Sequence, residues 1–387
     1  MSFRPMLALL ALAALTGCAT LAGLTGVPED RRVLFWSHAK RAEAFPAMER
    51  YATTDTVAAG TERALPRGEP LALELDLAHH MREHDMAGII VLRDGAIVLE
   101  AYGEGFGPEQ RWSTFSVAKS VTSLLVGAAL ADGAIPSLDA PITDHLPELA
   151  DTAYAGVSLR DVLTMSSGVQ WSESYRNPFS DVARFAGFTS DDGLPDTLGY
   201  MQRLSDRDAD QGFNYSTGET NLAGLVVERA VGMPLADYLS DALWQPLGME
   251  ADGIWAVDTT GHAYGGCCLS ARLRDWARLG QFVLDGGIGP DGGIGPDGEV
   301  LVDPGYLAEA TRAQVALGNG YGYGYQWWIH PGGAYGARGI FGQSIDIDPG
   351  LGMVVVMLRN TKKATSGRDD REARQAVLRA IVSATLG

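Results

Sequence analysis

Ser116 and Lys119 stand three residues apart in Trp112-Ser113-Thr114-Phe115-Ser116-Val117-Ala118-Lys119-Ser120, where an apolar stretch with helical spacing begins. On a helix that spacing puts both side chains on one face. Serine is a weak nucleophile until a base takes its proton, and lysine is such a base only when its amine is neutral, which burial or a nearby positive helix end brings about. A serine in the first turn also turns its own backbone N–H toward a bound carbonyl, so one residue would attack and help to hold the oxyanion. Further along, Tyr215 sits in Gly212-Phe213-Asn214-Tyr215-Ser216-Thr217-Gly218, just ahead of a second helical stretch from Leu222. Its phenol both donates and accepts, and can pass a proton to a leaving group. The third element is Ile340-Phe341-Gly342-Gln343-Ser344-Ile345-Asp346-Ile347. It is expected on a strand, with Gly342 admitting substrate close to the backbone and Gln343 supplying a second oxyanion N–H, or Ser344 if the register shifts by one. Alone, Ser-x-x-Lys also describes a helix start with a capping serine and a solvated lysine; the other two segments raise it above that.

The elements that must position these groups follow from pattern. Ile89 to Leu99 reads as a hairpin turning at Arg93-Asp94-Gly95, and Tyr323–Ile329, Gly339–Ile347 and Gly352–Leu358 read as later strands punctuated by Gly332-Gly333 and Asp348-Pro349-Gly350. Helical spacing runs through Val117–Leu130, Leu222–Val231 and Leu235–Leu243. Strands at both ends with helices between them predict an α+β fold. One antiparallel sheet is flanked by helices, a helical lobe spanning roughly 125–300 is inserted between its segments, and the cleft lies at their junction. Residues 71–362 form this domain, 18–70 a tether and lead-in, and 363–387 a C-terminal helix packing on the sheet. A hexamer, Gly-Gly-Ile-Gly-Pro-Asp, occurs at 286–291 and again at 292–297, a surface loop with no assigned role.

Composition narrows the classes. The 387-residue chain carries a formal net charge of −18, which excludes a nucleic-acid-gripping protein, since phosphate binding needs a basic face. Arg4 followed by the apolar run Met6–Leu15 has the size of a signal-peptide core, too short to span a bilayer. The run ends in Leu15-Thr16-Gly17-Cys18, which resembles a bacterial lipobox. It implies removal of residues 1–17, lipidation of Cys18, and a periplasm-facing protein held to a membrane of the cell envelope by acyl chains. Cys267 and Cys268 are adjacent and are expected to remain unpaired, packed as small hydrophobes. His79, His80 and His84 read as a solvated helix face without a third metal ligand. No phosphate loop, His-Glu-x-x-His or Gly-x-Ser-x-Gly elbow occurs, and no metal or organic cofactor is implied.

The three segments, in this order, resemble the serine β-lactamase, DD-peptidase and esterase superfamily over roughly residues 85–358. The resemblance implies a β-lactamase/transpeptidase-like fold and an acyl-enzyme reaction in which Ser116 attacks a small-molecule amide or ester, Lys119 takes its proton and Tyr215 serves the leaving group. Penicillin-active members carry Tyr-x-Asn and Lys-Thr-Gly, whereas here Thr217 replaces the asparagine and Ile340 occupies the lysine position, so a substrate carboxylate lacks its cationic partner. A closer similarity is to 6-aminohexanoate-dimer hydrolases and related esterases. It is carried by Phe115-Ser116-Val117-Ala118-Lys119-Ser120, Leu163-Thr164-Met165-Ser166-Ser167-Gly168 and Asn177-Pro178-Phe179-Ser180-Asp181. That likeness implies substrate contacts for Trp171, in the loop after Ser-Ser-Gly, and for Asp181. The alternatives are a β-lactamase or DD-peptidase, and a non-catalytic envelope-binding lipoprotein of the same fold.

Overall fold

The computed structural model describes residues 33–287, 300–365 and 367–387. The signal segment, Cys18 and most of the repeated hexamer lie outside these residues. Twelve strands are labelled in chain order: β1 Thr54–Val57, β2 Met86–Arg93, β3 Ala96–Tyr102, β4 Arg111–Ser113, β5 Gly253–Ala256, β6 Leu269–Arg272, β7 Val315–Gly318, β8 Tyr321–Tyr323, β9 Trp328–Ile329, β10 Tyr335–Arg338, β11 Ser344–Asp348 and β12 Met353–Arg359. The four longest helices among the described residues are α1 Val117–Ala131, α2 Thr217–Val231, α3 Leu273–Leu284 and α4 Arg368–Leu386.

Eight strands form one antiparallel sheet in the order β3-β2-β12-β11-β10-β9-β8-β7, so the first hairpin pairs with the last long strand. β2 and β12 are nearly continuous apolar runs because both faces of the sheet are covered. Ile89, Val91, Val355 and Met357 face α4, which buries Val377 and Ile381 against them, while Ile90, Leu92, Val354 and Val356 face the main core. On that side α3 comes so close that a Cβ on Gly280 would meet Val354 at 2.5 Å. Behind the sheet, α1 is buried along residues 117–129, the pattern of a helix enclosed on every side. It packs against α2, which opens with Ser216 accepting from the Glu219 N–H and ends at Gly232 with φ +75°.

Four expectations are corrected. The sheet is not alone: β1-β5-β6-β4 make a second, four-stranded antiparallel sheet, built of strands too short to show in the pattern. The interval 125–300 is not wholly a helical lobe, since β5, β6 and α3 return to the sheets. Residues from 33 onward are no tether. Phe45 is fully buried and meets Phe115, Phe341 and Trp112 at ring distances of 5.0, 5.6 and 5.7 Å. Arg41 is buried over the Phe341 ring and donates to Asn360 Oδ1 and to the Trp36 and Thr361 carbonyls. Finally, Tyr323–Ile329 and Gly339–Ile347 are each broken by a turn, at Gly324–Trp327 and Gly339–Gln343, where backbone bonds close tight loops between β8 and β9 and between β10 and β11.

Candidate active site

The small sheet delivers the serine. β4 runs into Thr114, whose N–H and hydroxyl both donate to the Leu269 carbonyl at the start of β6 (3.1 and 3.0 Å). Phe115 then takes φ +49°, a left-handed conformation unusual for a bulky side chain and held by the aromatic cluster around it. Ser116 follows at the N-cap of α1, yet its hydroxyl makes no capping bond and is left for other partners. Those partners are phenols: both Tyr215 and Tyr175 interact with the Ser116 side chain.

One turn on, Lys119 is 1 % exposed. Its amine donates to Thr217 Oγ1 and to the Gly266 carbonyl, each at 2.9 Å, and lies 5.3 Å from the centre of the Tyr215 ring. In the resting site these two acceptors hold the amine, on the helical face it shares with Ser116. Burial pushes the Lys119 pKa down to about 8, against the charge of Glu173, which raises it. Burial and the same glutamate push the Tyr215 phenol well above its ordinary value, so it stays protonated across the working range. The two groups are driven apart, which separates a base from a proton donor.

Gly265-Gly266 threads between α1 and α2. Thr122 Oγ1 donates to the Gly265 carbonyl (2.7 Å), and the Gly266 N–H donates to Asn221 Oδ1 (2.7 Å). A Cβ on Gly266 would lie 2.7 Å from the Thr217 carbonyl and 2.9 Å from Lys119 Nζ, so only glycine fits. The next residues, Cys267 and Cys268, are joined by a disulfide, which corrects the expectation of unpaired thiols. The left-handed φ of +70° at Cys268 gives the backbone a bend that an extended chain would not supply.

Tyr215 is carried by a loop tied to the Ser-Ser-Gly segment. The Asn214 N–H donates to the Met165 carbonyl (2.7 Å), and Asn214 Nδ2 donates to the Val169 and Trp171 carbonyls. Its ring stacks on Trp328, 5.7 Å between centres and 22° between planes. Glu173 links this loop to the amine. It accepts from the Thr217 N–H (3.0 Å) and hydroxyl, from Tyr175 (2.8 Å) and from the Trp171 indole. Sequence reasoning missed Glu173, Tyr175, Asn221 and Gly266. Only Tyr175 had a legible cue, as the second aromatic after Ser-Ser-Gly.

Several expected contacts lie off the cavity. Trp171 is buried behind its wall against Phe185 and Tyr200, and Tyr175 faces the cavity instead. Asp181 spends its carboxylate on the Ser172 N–H (2.8 Å) and the Tyr200 hydroxyl (2.9 Å) at the start of a short helix. Gly342 takes φ +92° in the β10–β11 turn, where a side chain would strike Thr361 and Arg359; its role is packing. Gln343 is turned inward, accepting from the Phe341 N–H and donating to the Arg359 carbonyl, and Ser344 donates to Asp346. Gly339 presses this turn against the Thr114 carbonyl, so that Ile340, and neither Gln343 nor Ser344, lines the cavity with Ser116.

An uncapped serine at the mouth of a cavity, one turn from a buried amine, on a helix packed behind an antiparallel sheet, is the architecture of a serine hydrolase. The Beta-lactamase family profile matches residues 73–379. The chain is 31% identical to the 6-aminohexanoate-dimer hydrolase of Paenarthrobacter ureafaciens, covering 89% of each, and 28% identical to esterase EstB of Burkholderia gladioli, covering 75% of this chain and 91% of that one. Among solved structures, a Bacillus anthracis protein described as a candidate 6-aminohexanoate-dimer hydrolase superposes with TM-score 0.73 at 19% identity, covering 89% of this chain and 93% of that one. A class C β-lactamase from Rhodobacter sphaeroides superposes with TM-score 0.56 at 16% identity, covering 78% and 97%. The chain belongs to the Beta-lactamase family and is a serine hydrolase.

Proposed function

We propose that Ser116, Lys119 and Tyr215 carry out hydrolysis of a small ester or amide through an acyl-enzyme. The neutral Lys119 amine takes the Ser116 proton as Oγ bonds to the carbonyl carbon. The Ser116 N–H and the Ile340 N–H flank the resulting oxyanion. When the carbon–leaving-group bond breaks, the departing oxygen or nitrogen takes a proton from the Tyr215 phenol, which Lys119 re-protonates. Water then attacks the acyl group by the same route, with Lys119 as base, and frees Ser116. The observation that carries this reading is the buried lysine: an amine lowered to about 8, next to a serine that caps nothing, has the means to activate it.

No lysine, arginine or histidine lines the cavity beside Ser116 among the described residues, so a β-lactam carboxylate finds no cation there, which favours neutral esters and amides over penicillins. Relatives named as a 6-aminohexanoate-dimer hydrolase and an esterase support the same class. A fluorophosphonate probe is expected to label Ser116, and Ser116→Ala to abolish labelling while the protein stays folded. Labelling that survives the substitution rejects the assignment. We also propose that the protein is a lipoprotein of the cell envelope anchored through Cys18, on the strength of the apolar leader and the lipobox-like tetrapeptide.

A further inference from the structure

A cavity of about 190 Å³ opens beside Ser116. Leu34 and Met48 come from the N-terminal segment, Val182 and Phe185 from the short helix after Asn177-Pro178, Val257 follows β5, and Ile340 comes from the β10–β11 turn. The Cys267–Cys268 disulfide completes the wall. No lysine, arginine or histidine lines it among the described residues, and Asp258 is the one carboxylate. Its oxygens accept from the Asp196, Thr260 and His262 N–H groups and the Thr260 hydroxyl, at 2.7 to 3.0 Å, which holds the carboxylate against its own loop. Tyr215 lies outside the lining, on the Trp328 side, so a leaving group protonated by Tyr215 departs away from the cavity.

We infer that this cavity is the acyl-group subsite and that it selects an uncharged aliphatic or aromatic acyl group of about six carbons. The inference rests on the hydrolase reading above. A cavity of roughly 150 Å³ accommodates a benzene ring, so this one holds a ring or a hexanoyl chain and little more. An apolar chain gains by leaving water, roughly fourfold in kcat/KM for each methylene received. A terminal ammonium carried to the same depth finds a single carboxylate, already accepting four hydrogen bonds, within a largely apolar wall, and recovers less there than it loses in hydration. The 6-aminohexanoyl group therefore fits in length and fails in charge.

The test is a p-nitrophenyl ester series, acetate to octanoate, with p-nitrophenyl 6-aminohexanoate and hexyl acetate alongside. kcat/KM is expected to rise with each methylene to hexanoate and then level off, and to fall at least about tenfold when the ω-ammonium is added. Leu34→Trp, which fills the cavity at a residue remote from Lys119, is expected to lower the hexanoate-to-acetate ratio about tenfold or more. Leu34→Ala is expected to move the plateau toward octanoate. A fluorophosphonate-labelled, active enzyme with a flat acyl profile overturns the inference alone, as does preference for the ammonium ester or dependence on the alcohol chain. Absence of labelling at Ser116 overturns the hydrolase reading with it.

Discussion

Near neutral pH, an amine with a pKa of about 8 is unprotonated in roughly one molecule in ten at pH 7, enough to serve as a base when it is already in place. Two effects set that value in opposite directions: burial of Lys119 lowers it and the Glu173 carboxylate raises it. The amine is held by Thr217 Oγ1 and the Gly266 carbonyl, and Thr217 is itself held by Glu173. Gly266 is the least forgiving member, because a methyl group there would lie 2.9 Å from Lys119 Nζ. Gly266→Ala is expected to cost about a hundredfold in kcat, since displacing a catalytic group by about an ångström has that effect. Steady-state kinetics with any turned-over ester, together with a thermal melt to show that the variant folds, checks it; an unchanged kcat would mean that the amine tolerates displacement.

At the level of elements, the long apolar stretches were legible. α1, the β2–β3 hairpin and β12 follow from periodicity and turn residues, and Ser116, Lys119 and Tyr215 were singled out by helical spacing and one Gly-bounded loop. What escaped has physical causes. β1, β4, β5 and β6 have three or four residues each, too few to show a period, and their pairing is decided by partners far along the chain. Trp171 and Tyr175 lie in one loop, and local sequence does not say which ring turns toward the cavity. Gln343 follows a glycine that serves a turn, so the strand register assumed around it was displaced. α2 holds a buried group that catalysis does not use. Glu219 accepts from Ser167, and burial raises its pKa from 4.5 to about 8. The folded state therefore binds this proton more tightly than the unfolded chain. Its contribution to stability is full below about 4.5 and falls as pH rises toward 8. Glu219→Gln is expected to leave Tm unchanged at pH 4 and to raise it by about 2 °C or more at pH 8. A Tm difference that does not grow with pH would contradict it.

Across the whole molecule, the N-terminal segment from Val33 joins the core to the cavity wall. Residues from Val33 pack Phe45 against Phe115 and Phe341, and Val33, Leu34 and Met48 form part of the cavity wall. A lipid anchor at Cys18 would set the catalytic domain only a short chain from the bilayer. Cys18→Ala is expected to move the protein from the membrane fraction to the soluble envelope fraction, with loss of palmitate incorporation; continued membrane association would argue against lipidation. Activation of Ser116 by a neutral Lys119 is read out by the pH dependence of the fluorophosphonate labelling rate. The rate is expected to climb with a midpoint near pH 8, where the amine loses its proton, and to drop about 10²- to 10⁴-fold in Lys119→Arg, whose side chain stays charged. A rate independent of pH between 6 and 10, or undiminished in Lys119→Arg, would contradict it.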